Sequence, residues 1–236
     1  MKNNPFDIPH CEKCNDTGYI DFKDENGCWW QKECECLKRR RVHDHLKQSG
    51  AARLFIEKSF DNYETSGNAQ RARAKAIAED FVDHFEQLRD TPHNSMLLCG
   101  QVGAGKTHLG TAACKSLMEK HEVTALYMPY RDIITKIKQN VLESDTYKAE
   151  IKKYSTVEVL YIDDMLKGKC TESDLNILYE IINYRYNNML SIIISTEKRV
   201  HELIEWDEAT GSRIIEMCTG HIMEFRGSDL NHRIYR

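Results

Sequence analysis

The segment Gly100–Thr107 constrains the fold of this chain more than any other feature. It reads Gly-Gln-Val-Gly-Ala-Gly-Lys-Thr and matches the pattern G-x-x-x-x-G-K-[ST]. The apolar run Met96–Cys99 precedes it, and a helical pattern over residues 106–120 follows it. Because the pattern is specific only between a strand and a helix, this setting predicts an α/β fold with a phosphate-binding loop after the first core strand.

The chemistry of such a loop explains the residue spacing. Glycines let the backbone curl so that successive N–H groups point inward, and the helix N-terminus adds its positive dipole end. Lys106 is predicted to reach the β- and γ-phosphates, and the Thr107 hydroxyl is predicted to be a Mg²⁺ ligand. The predicted nucleotide contacts are Gly100, Gln101, Val102, Gly103, Ala104, Gly105, Lys106, Thr107 and His108.

Short apolar runs alternate with longer helical segments after residue 70. The runs are Met96–Cys99, Val123–Met128, Val157–Ile162, Ser191–Ser195 and His221–Phe225. Helical patterns cover residues 70–89, 106–120, about 130–153, 172–190 and 199–218. Strands that alternate with helices imply a parallel sheet covered by helices on both faces.

Two acidic residues follow the third apolar run. Asp163 and Asp164 come at the end of a buried parallel strand, beside the phosphate loop, where Mg²⁺ needs an oxygen ligand. We predict that Asp163 holds the ion and that Asp164 polarises the water that attacks the γ-phosphate. Fifty positions separate Lys106 from Thr156. They leave room for an extra strand, a layout associated with water-activating ATPases more than with nucleotide kinases.

The composition limits the class of protein. The 236 residues are 41% hydrophobic and 30% charged, which is enough for a buried core and excludes disorder as the dominant state. A net charge of −4 excludes a globally cationic nucleic-acid coat but permits a local basic groove. No run approaches a membrane span, and residues 1–16 lack a signal peptide's apolar stretch. We therefore expect a cytoplasmic protein without a membrane partner.

Five of the nine cysteines lie within residues 11–36. Cys11-x-x-Cys14 and Cys34-x-Cys36 are typical of a closed zinc site with four thiolates, and so short a segment needs a metal to fold. The second pair is tighter than the usual C-x-x-C, and a loose cluster of free thiols is the alternative. Possible substitute ligands are Cys28, His10, His43 and His45. The pair Trp29-Trp30 is expected to pack within this module.

The sequence resembles the core of AAA+ ATPases over roughly residues 50–236. The features that carry the resemblance are the glycine loop, the strand that ends in two aspartates, a fourth strand with a polar end, and the late Gly211-Ser212-Arg213. More narrowly, they resemble the DnaC-type bacterial replicative helicase loaders and the related IstB transposition helpers. The cysteine-bearing front end favours a loader, because DnaI-like loaders carry an N-terminal zinc module that IstB-like helpers generally lack.

This resemblance implies a P-loop AAA+ core of the ASCE class, with a five-stranded parallel sheet in the order 5-1-4-3-2. It implies a zinc-binding module over residues 1–36, a helical linker over 37–69 and an ATPase domain over 70–236. Since 11 residues follow Phe225, the helical lid of most AAA+ proteins is expected to be missing.

The resemblance also implies roles for single residues. Arg213 is similar to the arginine finger that enters a neighbouring subunit's site, and Arg233 to a terminal arginine that meets the nucleotide. The fourth strand ends in Ser195-Thr196-Glu197, with glutamate where the family usually shows asparagine. A carboxylate there would repel a phosphate and another carboxylate. Thr196 is therefore the predicted sensor of the γ-phosphate.

The implied function is an ATP-hydrolysing loader that places the hexameric replicative helicase on single-stranded DNA, with ATP, Mg²⁺ and Zn²⁺ as cofactors. Such a protein self-associates in a spiral or ring, and its zinc module and the adjoining helix contact the helicase. Candidate DNA contacts are Tyr130, Arg131, Lys152 and Lys153. The alternatives are an IstB-like transposition helper, a P-loop phosphotransferase acting on a small molecule, and a module that binds ATP without significant turnover.

Overall fold

Two antiparallel strands form a small hairpin near the N-terminus. The computed structural model describes residues 10–37, 40, 55, 57–65, 67–141, 143–227, 230 and 231. Strand β1 (Tyr19–Lys23) pairs with β2 (Trp29–Glu33) in the register Phe22 opposite Trp30. Both strands are largely exposed, and Ile20 is the residue of the two strands that packs against the buried cysteines.

The central element is a five-stranded parallel sheet. Its strands are β3 (Met96–Gly100), β4 (Ala125–Pro129), β5 (Val159–Met165), β6 (Ser191–Thr196) and β7 (Ile222–Phe225). They lie in the order β4-β5-β6-β3-β7. Counted along the chain from β3, and read from the β7 edge, this order is 5-1-4-3-2, as predicted.

Successive residues of each strand enter different layers of the core. On β3, Met96 and Leu98 pack into one apolar cluster, and Leu97 and Cys99 pack into the other. The alternation follows from the two-residue period of a strand, and it requires an apolar layer on both faces. This is why the core strands read as continuous apolar runs and not as alternating ones.

Helices supply both layers. They are α1 (Ala69–Asp83), α2 (Phe85–Leu88), α3 (Lys106–His121), α4 (Tyr130–Gln139), α5 (Ser144–Thr156), α6 (Glu172–Asn187), α7 (Val200–Trp206) and α8 (Glu208–Met217). None of the helices formed by the described residues combines the length and the apolar character that a membrane span requires.

Three helical segments that the sequence pattern treats as continuous are broken. The segment at 70–89 stops at His84, and the segment at about 130–153 stops at Asn140. The segment at 199–218 stops at Asp207, whose backbone is extended and whose carboxylate accepts a hydrogen bond from the Thr210 N–H. The single long helices were wrong; at Asn140 and Asp207 the reason is that short polar side chains favour helix ends over interiors.

A buried arginine ties the end of α5 to the sheet. Arg185 of α6 has no exposed surface, and its guanidinium donates to the backbone carbonyls of Tyr154, Ser155, Val157, Glu158 and Ser191. Burial lowers the pKa of Arg185 to about 9, which leaves it charged at neutral pH. A cation suits this place because the C-terminal carbonyls of a helix carry partial negative charge.

We predict that Arg185→Met lowers the free energy of unfolding by about 3 kcal/mol or more, because five buried carbonyls lose their donors. Urea unfolding measured by circular dichroism tests this. Tyr184→Phe, on an exposed neighbour in the same helix, is the control and should change stability by less than about 0.5 kcal/mol. A loss below about 1 kcal/mol for Arg185→Met would contradict the assignment.

Candidate nucleotide-binding site

The loop between β3 and α3 has a backbone that requires glycine. Gly100, Gly103 and Gly105 have φ angles of 92°, 74° and 95°, in the left-handed region that residues with a Cβ rarely adopt. A Cβ on Gly100 would clash with the backbone carbonyl of Phe225. The curled loop that the pattern predicts is thus present between the first core strand and its helix.

Lys106 is buried at the first turn of α3. Its Nζ donates to the carbonyl oxygens of Gly100 at 2.8 Å and Gln101 at 2.7 Å. Burial lowers the pKa of Lys106, while Glu197 and Asp164 oppose this effect through their negative charge. The ammonium is held by two carbonyls of the loop, contacts that phosphate oxygens are able to replace.

A single carboxylate joins the loop helix to three strands. Asp163 of β5 accepts hydrogen bonds from the hydroxyls of Thr107 (3.0 Å), Tyr127 (2.9 Å) and Tyr161 (2.8 Å), and from Ser195. The structure therefore brings together Thr107 and Asp163, the two residues predicted to hold Mg²⁺. Their oxygen atoms are the hard ligands that this ion prefers.

Sequence reasoning missed the two tyrosines of this network. Tyr161 lies two residues before Asp163, so both side chains lie on the same side of β5. Tyr127 is opposite Tyr161 in the register of β4 with β5. Burial, and then the charge of Asp163, raise the pKa of both tyrosines, which keeps their hydroxyls as donors. The i, i+2 spacing was a usable signal for Tyr161, whereas Tyr127 needs the sheet register.

Asp164 faces a different set of groups from Asp163. Both residues lie inside β5, whereas the sequence pattern ended that strand at Ile162. The register with β6 shifts between Ile162 and Met165, and Asp164 has a φ of 54°. Bulges of this kind redirect side chains. The Asp164 carboxylate lies 2.7 Å from the Nζ of Lys167.

The predicted sensor, Thr196, is occupied by backbone contacts. Its hydroxyl donates to the carbonyl of Met165 at 2.7 Å and accepts from the N–H of Lys198 at 3.2 Å, and the side chain is fully buried. Glu197, the next residue, instead carries its carboxylate to within 3.4 Å of the Nζ of Lys167. An electrostatic partner for Glu197 was not foreseen from the sequence.

Arg213 is held by contacts within this chain. Its guanidinium stacks on the rings of Tyr179 and Tyr186, at 5.6 and 5.4 Å from their centroids, and donates to the carbonyl of Ala209. Gly211 of the same motif is required by packing, since a Cβ there would clash with a carbonyl of α7. The structure therefore does not bring Arg213 to its own phosphate loop. Arg233 lies outside the described residues.

Two segments distant in the chain contact the phosphate loop and the first turn of its helix. The Nε2 of His108 lies 2.9 Å from the carbonyl of Ser59, and the hydroxyl of Tyr63 donates to the carbonyl of Ala104. A Cβ on Gly103 would clash with the side chain of Asn231, which lies near the other end of the chain. His108 thus contacts the segment before α1, in addition to being a predicted nucleotide contact.

Four cysteines of the hairpin module lie together. The Sγ atoms of Cys11, Cys14, Cys34 and Cys36 are all within 4.8 Å of one another. Sulfur atoms 2.3 Å from a shared tetrahedral centre are about 3.8 Å apart, so the group fits zinc. Cys28, a possible substitute, is exposed in the hairpin turn. His10 lies 2.7 Å from Asp16, and His43 and His45 lie outside the described residues.

The two tryptophans do not pack inside this module. Trp29 and Trp30 are 69% and 57% exposed, so the packing expectation was wrong. The residues that pack together in the interior of the module are the cysteine cluster and Ile20. Phe22, opposite Trp30 on the same face, is also exposed. The hairpin therefore presents an aromatic face to solvent.

We predict about one zinc ion per purified chain, measured by inductively coupled plasma mass spectrometry. Cys14→Ser should remove most of the metal, because it deletes a buried thiolate. Cys28→Ser should retain it, because that thiol lies outside the cluster. Equal zinc loss from both variants, or metal-free wild-type protein, would contradict the assignment of these four ligands.

Comparison with known proteins identifies the family of this arrangement. The family model of the bacterial DnaA ATPase domain matches residues 56–219. The phage-like element PBSX protein XkdC of Bacillus subtilis (strain 168) is 34% identical over 232 residues, which cover 95% of this chain and 86% of that protein.

Solved structures share the fold. The DnaC helicase loader superposes with a TM-score of 0.60 at 24% identity, covering 73% of this chain and 98% of that one. The replication initiator DnaA bound to AMPPCP and single-stranded DNA superposes with a TM-score of 0.56 at 20% identity, covering 74% of this chain and 51% of that one. By its family match, this chain belongs to the bacterial DnaA ATPase domain family, and it has the AAA+ fold of the DnaC-type loaders.

Proposed function

We propose that this protein is an ATP-hydrolysing loader of the replicative DNA helicase. The observation that carries the proposal is the contact of Thr107 with Asp163, 3.0 Å apart beside a glycine-curled loop that encloses Lys106. That constellation suits a nucleoside triphosphate with its divalent cation. The four-cysteine hairpin distinguishes a loader from an IstB-like helper. A small-molecule phosphotransferase would need an acceptor pocket with a mobile arginine-bearing lid.

The residues of the site have separate tasks in this proposal. The loop N–H groups and Lys106 hold the phosphates, while Thr107 and Asp163 hold Mg²⁺ through oxygen atoms. The bound ion neutralises charge on the β- and γ-phosphates. Asp164 orients the attacking water as a hydrogen-bond acceptor. The four hydroxyl contacts of Asp163 fix its carboxylate so that little reorganisation is needed when the nucleotide arrives.

Arg213 acts across a subunit boundary in this proposal, within a spiral or ring. Arginine suits transition-state charge because its guanidinium is planar, permanently charged and multidentate. To reach a neighbouring site it must leave its stack on Tyr179 and Tyr186. Assembly and loss of this stack are therefore coupled. Arg233 remains the proposed terminal arginine that meets the nucleotide.

The aromatic face of the zinc hairpin is the proposed helicase contact. Phe22 and Trp30 lie directly opposite each other on one face, and both are exposed. Large aromatic side chains at the centre of an interface contribute much of the binding energy. The zinc site holds the two strands that present them.

Co-purification with the cognate hexameric helicase tests the proposed division of labour. We predict that Trp30→Ala, and a Cys11/Cys14 double serine variant, abolish the complex, whereas Lys106→Ala leaves it intact but prevents loading onto single-stranded DNA. Tyr184→Ala is the control for loss of an exposed aromatic residue and should still form the complex. If Trp30→Ala and the cysteine variant both bind normally, or Lys106→Ala loads normally, the proposal is wrong.

A groove between α5 and α6 is the proposed path for single-stranded DNA. It has a volume of about 590 Å³ and is lined by Lys148, Lys152, Tyr179 and Tyr184, among others. The buried hydroxyl of Ser155, also in the lining, has no hydrogen-bond partner among the residues that the structure describes. Lysines interleaved with exposed aromatic rings suit a single strand, whose phosphates need cations and whose bases stack.

The other candidate DNA contacts differ in their surroundings. Lys153 lies 5.5 Å from the ring of Tyr154 on α5, and Arg131 is exposed on α4. Tyr130 is buried with its hydroxyl 3.7 Å from the Sγ of Cys170. A buried ring is not available for stacking on bases. Of the four candidate DNA contacts predicted from the sequence, Lys152 is the one that lines the groove.

We predict that Lys148→Ala/Lys152→Ala weakens binding of a fluorescein-labelled oligothymidylate about tenfold at low salt, because two phosphate contacts are lost. Fluorescence anisotropy measures this. Lys75→Ala/Lys120→Ala is the charge-matched control on α1 and α3 and should change the affinity by less than about twofold. Similar losses in both double variants would show that binding depends on overall charge and not on the groove.

A further inference from the structure

Lys167 joins the carboxyl ends of two neighbouring strands beside the candidate nucleotide site. Its Nζ lies 2.7 Å from Asp164 of β5 and 3.4 Å from Glu197, which directly follows β6. One ammonium therefore lies between the proposed water-orienting acid and the acid at the sensor position.

The backbone around Lys167 is specialised. Asp164 and Leu166 both have positive φ angles, 54° and 61°, and the Lys167 N–H donates to the Asp164 carbonyl at 3.2 Å. Left-handed residues other than glycine are uncommon and cluster at functional sites. This turn returns the lysine side chain onto the carboxylate three residues before it.

The lysine is also connected to the carboxylate that is proposed to hold Mg²⁺. The N–H of Asp164 donates to the hydroxyl of Ser195 at 2.9 Å, and that hydroxyl donates to Asp163. The hydrogen bond to Asp164 raises the pKa of Lys167, so its side chain is charged. The charges of Asp164, Glu197 and Lys167 all affect the pKa of Lys106, which means that the four groups share one local field.

This arrangement accounts for the glutamate at the sensor position. A free carboxylate there would repel a γ-phosphate, but an ion pair with Lys167 offsets that repulsion. The group contains two acidic and two basic side chains, so its formal charges sum to zero. A γ-phosphate adds negative charge and competes with the two carboxylates for the ammonium.

We propose that Lys167 is the γ-phosphate-sensing residue of this site, shared between Glu197 and Asp164 until a triphosphate competes for it. Release of Lys167 from Asp164 frees that carboxylate to accept a hydrogen bond from the attacking water. A diphosphate lacks the competing group and leaves Asp164 paired. The inference rests on the proposed ATPase function and names the residue through which that site distinguishes ATP from ADP.

Titration with fluorescent ATP and ADP analogues in the presence of Mg²⁺ tests the inference without measuring turnover. Lys167→Met should weaken triphosphate binding about tenfold, the value of one charge-assisted hydrogen bond, and change diphosphate binding by less than about twofold. Lys167→Arg should retain most of the preference for triphosphate. Lys169→Met, an exposed lysine in the same loop, should leave both affinities unchanged.

A double variant tests the pairing with Glu197. Because the glutamate repels phosphate once Lys167 is gone, Lys167→Met/Glu197→Asn should recover part of the triphosphate affinity lost in Lys167→Met. The inference is overturned if Lys167→Met leaves the ratio of the triphosphate and diphosphate affinities at its wild-type value. It is also overturned if Lys169→Met changes that ratio as much as Lys167→Met does. Wild-type protein that binds neither nucleotide would instead overturn the proposed function itself.

Discussion

The buried carboxylate of Asp163 is the interaction on which the rest of the site depends. A buried carboxylate is costly unless it is hydrogen-bonded, and here hydroxyls from four residues donate to it. Those residues come from α3, β4, β5 and β6. A single acceptor therefore sets the position of the loop helix relative to three strands of the sheet. Conversely, the hydroxyls meet at Asp163 only because those strands are paired in this register.

Asp164, the next residue of β5, belongs to a separate set of charged side chains. The shift in register after Ile162 directs Asp164 away from the hydroxyl network and toward Lys167. Adjacent aspartates thus have different partners, one entirely hydroxylic and the other cationic. A β-strand with regular alternation separates neighbouring side chains to opposite faces. The irregularity here allows both acids to remain at the carboxyl end of the sheet, next to the loop that encloses Lys106.

The sequence predicted the features that depend on local spacing. The glycine loop, the alternation of strands and helices and the two aspartates are encoded in short segments, and the strand order followed from the family resemblance. Features that depend on contacts between distant segments were missed. Tyr127 approaches Asp163 through strand pairing, and Tyr63 and Asn231 reach the loop from segments before α1 and after β7.

Other residues have partners that the sequence does not show. The ion pair of Glu197 with Lys167 offsets the repulsion on which the choice of Thr196 as the sensor rests, and the sensing role of Thr196 stays a prediction. Trp29 and Trp30 are exposed, and the interior of the module where they were expected consists of the cysteine cluster and Ile20. In both cases the sequence identifies the unusual residue, but its contacts depend on neighbours that are distant in the chain or on the size of the module.

The most direct test of the central claim is the Mg²⁺ dependence of ATP binding in Asp163→Asn. This substitution keeps the shape of the side chain but removes the negative charge that is proposed to hold the ion next to Thr107. In wild-type protein, Mg²⁺ should strengthen binding of a fluorescent ATP analogue. In Asp163→Asn that gain should disappear, while binding without Mg²⁺ should change by less than about twofold. A variant that keeps the full Mg²⁺ effect, or a wild-type protein without a saturable signal, would contradict the account.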